Sequence, residues 1–247
     1  MSMCVAPPAR LMRAGMAPSL ALYKPQQWPA EHRVVTVRFL DGVTAVRERV
    51  RQLVEAAWNR ASGLQFRFVD AAPADVRVSF EGAGNWCYPG TYSLAVPEPE
   101  PTMVLSSVTA STPARGVILH EFGHACGYLH EQQSPSAQIP WDVEAVYAYY
   151  AKHGWDKAMV DAQVLWRLGE EVCEAGAYDA ASVMHYFIPP ALVLDRLARG
   201  GKDVLSGGDV AMARHWYGDP PALPEPASPP GVAQRWWFLP VIRAGGK

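Results

Sequence analysis

His120, Glu121, His124, Gly127 and His130 fall within an eleven-residue stretch. Residues four apart lie on one face of a helix, so His120 and His124 can each aim a ring nitrogen at a single point. Two imidazoles at that spacing make half of a tetrahedral zinc site. Glu121 sits about 100° further round the helix. A carboxylate there lies beside the metal position without being forced to ligate, and can take a proton from metal-activated water. Helix continuation would carry His130 away, because six residues is not a whole number of turns. Gly127 resolves this: glycine takes a left-handed conformation at little steric cost, so the helix can stop and the chain can swing back. His130 then supplies a third ligand. The fourth position stays open for water, as in catalytic rather than structural zinc sites. With each fixed position at roughly one in twenty, the pattern arises by chance in about one in ten thousand chains of this length. Cys126 lies about 240° from His120 on the same wheel, beside Leu119 and Phe122, and is expected in the core rather than on the metal.

The elements that must position these residues can be read from patterning. Val34–Phe39 is β-branched and predicts a strand. Asp41 is placed to cap the helix that follows, in which Val43, Val46, Val50, Leu53, Val54, Ala57 and Trp58 recur at helical spacing. Gly63 ends it. Leu64–Val69 and Val76–Phe80 alternate at period two and read as half-buried strands. Residues 82–90 read as a loop, and Thr102–Thr109 as a further strand. Met103–Val108 is the candidate edge for pairing with an extended peptide, an ordinary internal strand being the alternative. Pro113 is placed to begin the metal-site helix, running to about Leu129. Trp141–Lys152 and Asp156–Arg167 read as helices, Gly169–Tyr186 as irregular, and Gly207–Tyr217 as a last helix capped by Ser206. The pattern predicts an α+β fold: a twisted mixed sheet with helices, then a mostly helical C-terminal part.

The chain of 247 residues has 49% hydrophobic and 19% charged residues and a formal net charge of −2. That composition is globular and lacks the basic footprint of a nucleic-acid binder. No run approaches the roughly 18 apolar residues of a membrane span. Residues 1–30 read as an extended N-terminal arm. Residues 31–218 read as the folded catalytic unit. Residues 219–247 read as a proline-rich connector leading to the apolar cluster Trp236–Ile242, which is expected to pack back on the domain. The apolar run after Arg13 is interrupted by Gly15, Pro18 and Ser19, so no signal peptide is expected. Cys4, Cys87, Cys126 and Cys173 are too few for a disulfide scaffold. Buried free thiols are the expectation, with one disulfide among Cys87, Cys126 and Cys173 as the alternative.

His120–His130 resembles the extended zinc motif of the metzincin metallopeptidases. Ser182-Val-Met-His-Tyr186 resembles the methionine turn of that group. Glu131 directly after the third histidine, Tyr178-Asp179, Ser134-Pro135, Ile139–Asp142 and Leu205-Ser-x-x-Asp209 point to the astacin branch, in its bacterial and fungal form. The resemblance covers roughly residues 30–218 and implies a cleft between the sheet and a lower helical subdomain, with zinc on its floor.

By that resemblance His120, His124 and His130 ligate one catalytic Zn2+, and Glu121 is the general base. Met184 is the hydrophobic floor under the metal. Tyr186 is the extra ligand that swings out to bond the tetrahedral oxyanion; read from its residue type alone, Tyr186 is a buried tyrosine with a bonded hydroxyl. The implied activity is zinc endopeptidase on a protein or peptide substrate, with a monomer expected. The alternatives are a zinc-binding peptide scaffold without catalysis and a narrow-specificity processing or cell-wall peptidase. The resemblance implies secretion and a role for Glu131 in binding a processed N-terminus. No processing site is evident in the sequence, so a local hydrogen bond is the other reading of Glu131. Cys4, in the N-terminal arm, is a candidate to reach the metal and block it.

Overall fold

The sheet begins with β1 (Val34–Phe39), where alternate residues Val35 and Val37 are fully buried. α1 (Thr44–Ala56) presents Val46, Val50 and Val54 to the core, and a short α2 (Trp58–Ala61) follows. β2 (Gln65–Phe68), β3 (Val76–Ser79), β4 (Asn85–Cys87) and β5 (Met103–Leu105) complete a five-stranded mixed sheet of order β2-β1-β3-β5-β4. β1, β2, β3 and β5 run parallel, and β4 is antiparallel to β5. α3 (Arg115–Ala125) packs against α1 and the β5–β4 end of the sheet. Its Ile118, Leu119, Phe122 and Ala125 join β1, α1, β3 and β5 in one hydrophobic core. The chain is thus an α+β protein, as expected. This computed structural model describes residues 26–112, 114–169 and 176–222. Expectations for Cys4, Pro113, Cys173, most of the connector and Trp236–Ile242 lie outside the described residues.

The C-terminal part has its own core, built from Ile139, Val146, Tyr150, Val160, Val164, Ile188, Leu192 and Val193. α4 (Val143–Ala151) is capped by Asp142, which accepts from the N–H of Ala145. α5 (Lys157–Val160) is capped by Asp156 and continues as a π-helical turn, Asp161–Leu165. α6 (Gly207–Tyr217) starts with a capping box between Ser206 and Asp209, the hydroxyl and carboxylate each satisfying an otherwise unpaired N–H.

Several expectations need correction. β3, expected half-buried, is buried at all four positions, and the single helix expected up to Gly63 breaks at Ala57 into α1 and α2. β5 is internal, flanked by β3 and β4, so the sheet edge on this side is β4. β4 lies in the glycine-rich stretch read as a loop, because three residues are too few to show a period of two. Asp41 does not cap α1, whose N-cap is Val43. Its carboxylate instead accepts from the Ser79 hydroxyl (2.5 Å) and the N–H of Phe80 (2.7 Å), tying off the end of β3. The helix expected over Asp156–Arg167 is α-helical only to Val160.

The last residues of the expected arm pack onto the fold. Trp28 is fully buried, and its indole N–H donates to the carbonyl of Ala125 at 2.7 Å. The Tyr217 hydroxyl donates to the carbonyl of Cys126. Both bonds satisfy carbonyls that the end of α3 leaves unpaired, so α3 is locked at the end nearest the metal motif.

Candidate active site

α3 stops at Ala125, short of the expected Leu129 and just before Gly127, where the glycine reading ends it. Gly127 has φ +92°, the N–H of Tyr128 donates to the carbonyl of Gly123 (3.0 Å), and that of Gly127 to His124 (2.7 Å). This pair of bonds is a Schellman termination. The chain turns back, and His130 comes to the same point as the two helical histidines. The Nε2 atoms of His120 and His130 each lie 3.2 Å from Nε2 of His124. All three residues are buried. The Cys126 side chain is in the core, away from this point, and Cys87 and Cys126 are both buried free thiols.

The ring nitrogens on the far side decide what the triad can hold. Nδ1 of His120 bonds the carbonyl of Val183 (2.9 Å), and Nδ1 of His124 the carbonyl of Tyr128 (2.7 Å). A carbonyl only accepts, so both Nδ1 atoms carry the proton and both Nε2 atoms present lone pairs. The His130 ring interacts with the buried side chain of Gln133. Lone pairs this close repel unless a cation lies between them. Tetrahedral zinc with Zn–N bonds of about 2.0–2.1 Å sets its ligand nitrogens about 3.3–3.4 Å apart. The triad fits that ion, and the carbonyls behind the rings are the partners that orient metal-binding histidines.

Burial is the main force on these rings. It lowers the pKa of His120 to about 4 and of His124 to about 3, and lowers His130 well below the usual histidine value. His185, on the methionine turn, is lowered to about 4 for the same reason. In the metal-free protein these four rings stay neutral at a pH where the unfolded chain takes up protons. The unfolded state then binds more protons than the native state, so stability falls as pH drops from about 6.5 towards 4. Thermal melts of chelated protein should therefore show a clearly lower Tm at pH 5 than at pH 7; equal values would contradict the burial argument.

The methionine turn is stitched to the triad from below. Besides the Val183 carbonyl on His120, the carbonyl of Met184 accepts from the N–H of Glu131 (3.1 Å). Met184 is buried, and a Cβ on Gly123 would lie 2.2 Å from its sulfur. Gly123 sits between His120 and His124, so the missing side chain is what lets Met184 approach the metal motif. Sequence reasoning does not single out Gly123, although a glycine inside an otherwise helical stretch is an available signal. The turn itself hangs on α6: Asp209 accepts from the Ser182 hydroxyl (2.6 Å) and the N–H groups of Val183 (2.9 Å) and Ser206 (2.8 Å). Glu131 accepts from the N–H of Asp179 (2.8 Å), 48 residues away in sequence. Burial pushes its carboxyl up to about 7.

Glu121 is 1% exposed. With His120, Tyr186 and Asn85 of the β4 edge it lines a cavity of about 420 Å³. The Tyr186 ring lies 4.2 Å from that of His130 and 5.9 Å from that of His120, between ring centres. The structure thus gathers every expected site residue at one place: the three histidines at a point, Glu121 and Tyr186 on the cavity wall, and Met184 beneath.

Fold and site together define a zinc metalloprotease of the metzincin class. The chain is 35% identical to one structure of myroilysin, with a TM-score of 0.74, covering 79% of this chain and 97% of that one. A second myroilysin structure is 32% identical with a TM-score of 0.58, covering 88% and 99%. High choriolytic enzyme 1, a hatching-enzyme zinc protease from the medaka fish Oryzias latipes, shares the fold at 17% identity and a TM-score of 0.52, covering 77% and 94%. Zinc metalloproteinase dpy-31 of Caenorhabditis elegans is 28% identical over 165 residues, 65% of this chain. The chain spans about a quarter of that protein's length, 25%. No protein-family model matches the chain. The chain belongs to the astacin-like, myroilysin-like family of zinc metalloproteases. Zinc is its cofactor, held by His120, His124 and His130. Among the described residues no helix is long and apolar enough to cross a membrane.

Proposed function

We propose that the whole protein is a zinc-dependent endopeptidase whose catalytic unit spans residues 31–218, with Gln26–Trp28 packed onto it. The observation that carries this is the convergence of three imidazole nitrogens beside a cavity that His120, Glu121 and Tyr186 line. A zinc ion held there supplies a Lewis acid that polarises a carbonyl and acidifies water. Glu121 takes the proton of the attacking water as oxygen adds to the peptide carbonyl carbon. It returns that proton to the amine nitrogen as the C–N bond breaks. The Tyr186 hydroxyl donates to the tetrahedral oxyanion. Met184 holds the imidazoles from below. An extended substrate pairs with the β4 edge, where Asn85 lines the cavity, and this places its scissile bond over the triad. One chain supplies every residue of this site, which supports a monomer.

A proteome-derived peptide pool tests this reading. Cleavage should occur internally in peptides, stop when the metal is chelated, and return on adding one equivalent of zinc. A protein that holds stoichiometric zinc yet cuts nothing in the pool would instead be a binding scaffold. Confinement of the products to one short motif would mark a processing peptidase.

A further inference from the structure

The backbone of Tyr186 is held on both sides by buried side chains. Its N–H donates to Oε1 of Gln132 at 3.1 Å, and Gln132 is buried directly after the third histidine and Glu131. Its carbonyl accepts from Nδ1 of His185 at 2.7 Å. Because Nδ1 donates, Nε2 of the neutral ring presents a lone pair, and it accepts from the Tyr178 hydroxyl at 2.8 Å. That hydroxyl in turn interacts with the Arg199 guanidinium, which grips both carboxylate oxygens of Asp195. The donors run in one direction: Arg199 to Tyr178, Tyr178 to His185, His185 to the Tyr186 carbonyl. Gly200 closes the back of this arrangement. It has φ +69°, and a Cβ there would lie 2.1 Å from the Tyr186 carbonyl oxygen and 2.7 Å from Nδ1 of His185. The peptide after Tyr186 therefore has little room to move.

We propose that His185 is a positioning residue for Tyr186, and that Tyr178, backed by Arg199, keeps His185 in the Nδ1–H tautomer this task needs. The network pins the Tyr186 backbone, so its hydroxyl reaches the oxyanion by rotation of the side chain about χ1 alone. A carbonyl left without its donor would let the 186–187 peptide tilt, and the arc swept by the hydroxyl would no longer pass over the reacting carbon. An error of about an ångström in such placement costs a large factor in rate. His185 thereby acquires a function that its place in the methionine turn does not itself suggest: it controls the reach of its neighbour and leaves the metal to the triad. This inference rests on the role proposed above for Tyr186.

Tyr178→Phe removes one hydroxyl and keeps the half-buried ring. In that variant, ¹⁵N NMR of the imidazoles should show His185 shifting partly to the Nε2–H tautomer. The kcat for peptide cleavage should fall about tenfold, with KM and zinc content unchanged. Tyr186→Phe alone reads whether Tyr186 contributes to the rate. Adding Tyr178→Phe to Tyr186→Phe should cost nothing further, because the positioning has lost its object; a merely structural effect would lower the rate in both backgrounds. Unchanged kcat or an unchanged tautomer in Tyr178→Phe overturns the inference, as does a loss that persists beside Tyr186→Phe. If Tyr186→Phe itself is fully active, the role of Tyr186 fails first and the positioning role falls with it.

Discussion

Glu121→Gln should lower kcat/KM for peptide cleavage by about 10³-fold or more, while the protein keeps one zinc per chain and its wild-type melting temperature. The physical reason is the division of labour in the eleven-residue motif. The metal is held by three imidazoles, and the back-side partners of His120 and His124 are the carbonyls of Val183 and Tyr128. The glutamine amide has the shape of the carboxylate and fits the same buried position, but it cannot accept a proton near neutral pH. General-base catalysis accounts for about 10²–10⁴ of a rate. Here the same group also returns the proton to the leaving amine, so both halves of the reaction suffer. Rate and metal content must be measured on the same sample. A variant that has lost zinc would put Glu121 in the metal site's structure, and one that cuts at the wild-type rate would remove it from the mechanism.

The second large effect lies away from the metal. Asp209→Ala should destabilise the protein by about 3–5 kcal/mol and weaken zinc binding about 10–100-fold. The carboxylate receives the Ser182 hydroxyl and the N–H groups of Val183 and Ser206, and Ser182 and Val183 are buried. Each buried donor left without a partner costs about 1–3 kcal/mol. The loss spreads to the metal because the Val183 carbonyl orients His120, and such outer partners tune metal affinity by one to two orders of magnitude. In a chain of this size a loss of 3–5 kcal/mol lowers Tm by roughly 10 °C. Asp209→Asn keeps one acceptor oxygen and should recover part of the loss. Calorimetry and zinc titration of the pair check this, and an alanine variant within about 2 °C of wild type would show that α6 does not hold the methionine turn.

Much of the site is legible in the amino-acid sequence. The i, i+4 spacing of His120 and His124, the offset of Glu121 and the need for Gly127 to end the helix all follow from helix geometry. Each of these features is a local relation in the folded chain. The strand β1 shows through its β-branched residues, β2 and β3 through their alternation, and α6 through the Ser206 cap. What is not legible has a different character. β4 is three residues long in a glycine-rich stretch and carries no period. Which strand forms the edge depends on strand order, and alternation is blind to order. Asp41 resembles a helix cap because capping residues and strand-end anchors share one chemistry; only the proximity of Ser79 and Phe80 decides between them. Gly123 reads as an ordinary helical glycine because its constraint comes from Met184, sixty-one residues away in sequence.

The sequence by itself determined that this chain carries a three-histidine zinc motif with a neighbouring carboxylate, because those relations are set by covalent geometry within three turns of one segment. The tertiary structure alone decided how that motif is armed. It brought the Val183 carbonyl behind His120, across 63 residues. It hung the methionine turn on Asp209, backed the Tyr186 carbonyl with His185, and placed β4 at the end of the sheet. Those partners are joined by packing and hydrogen bonds between separate elements. Their identity follows from which elements the core brings together, which no spacing within a single segment encodes.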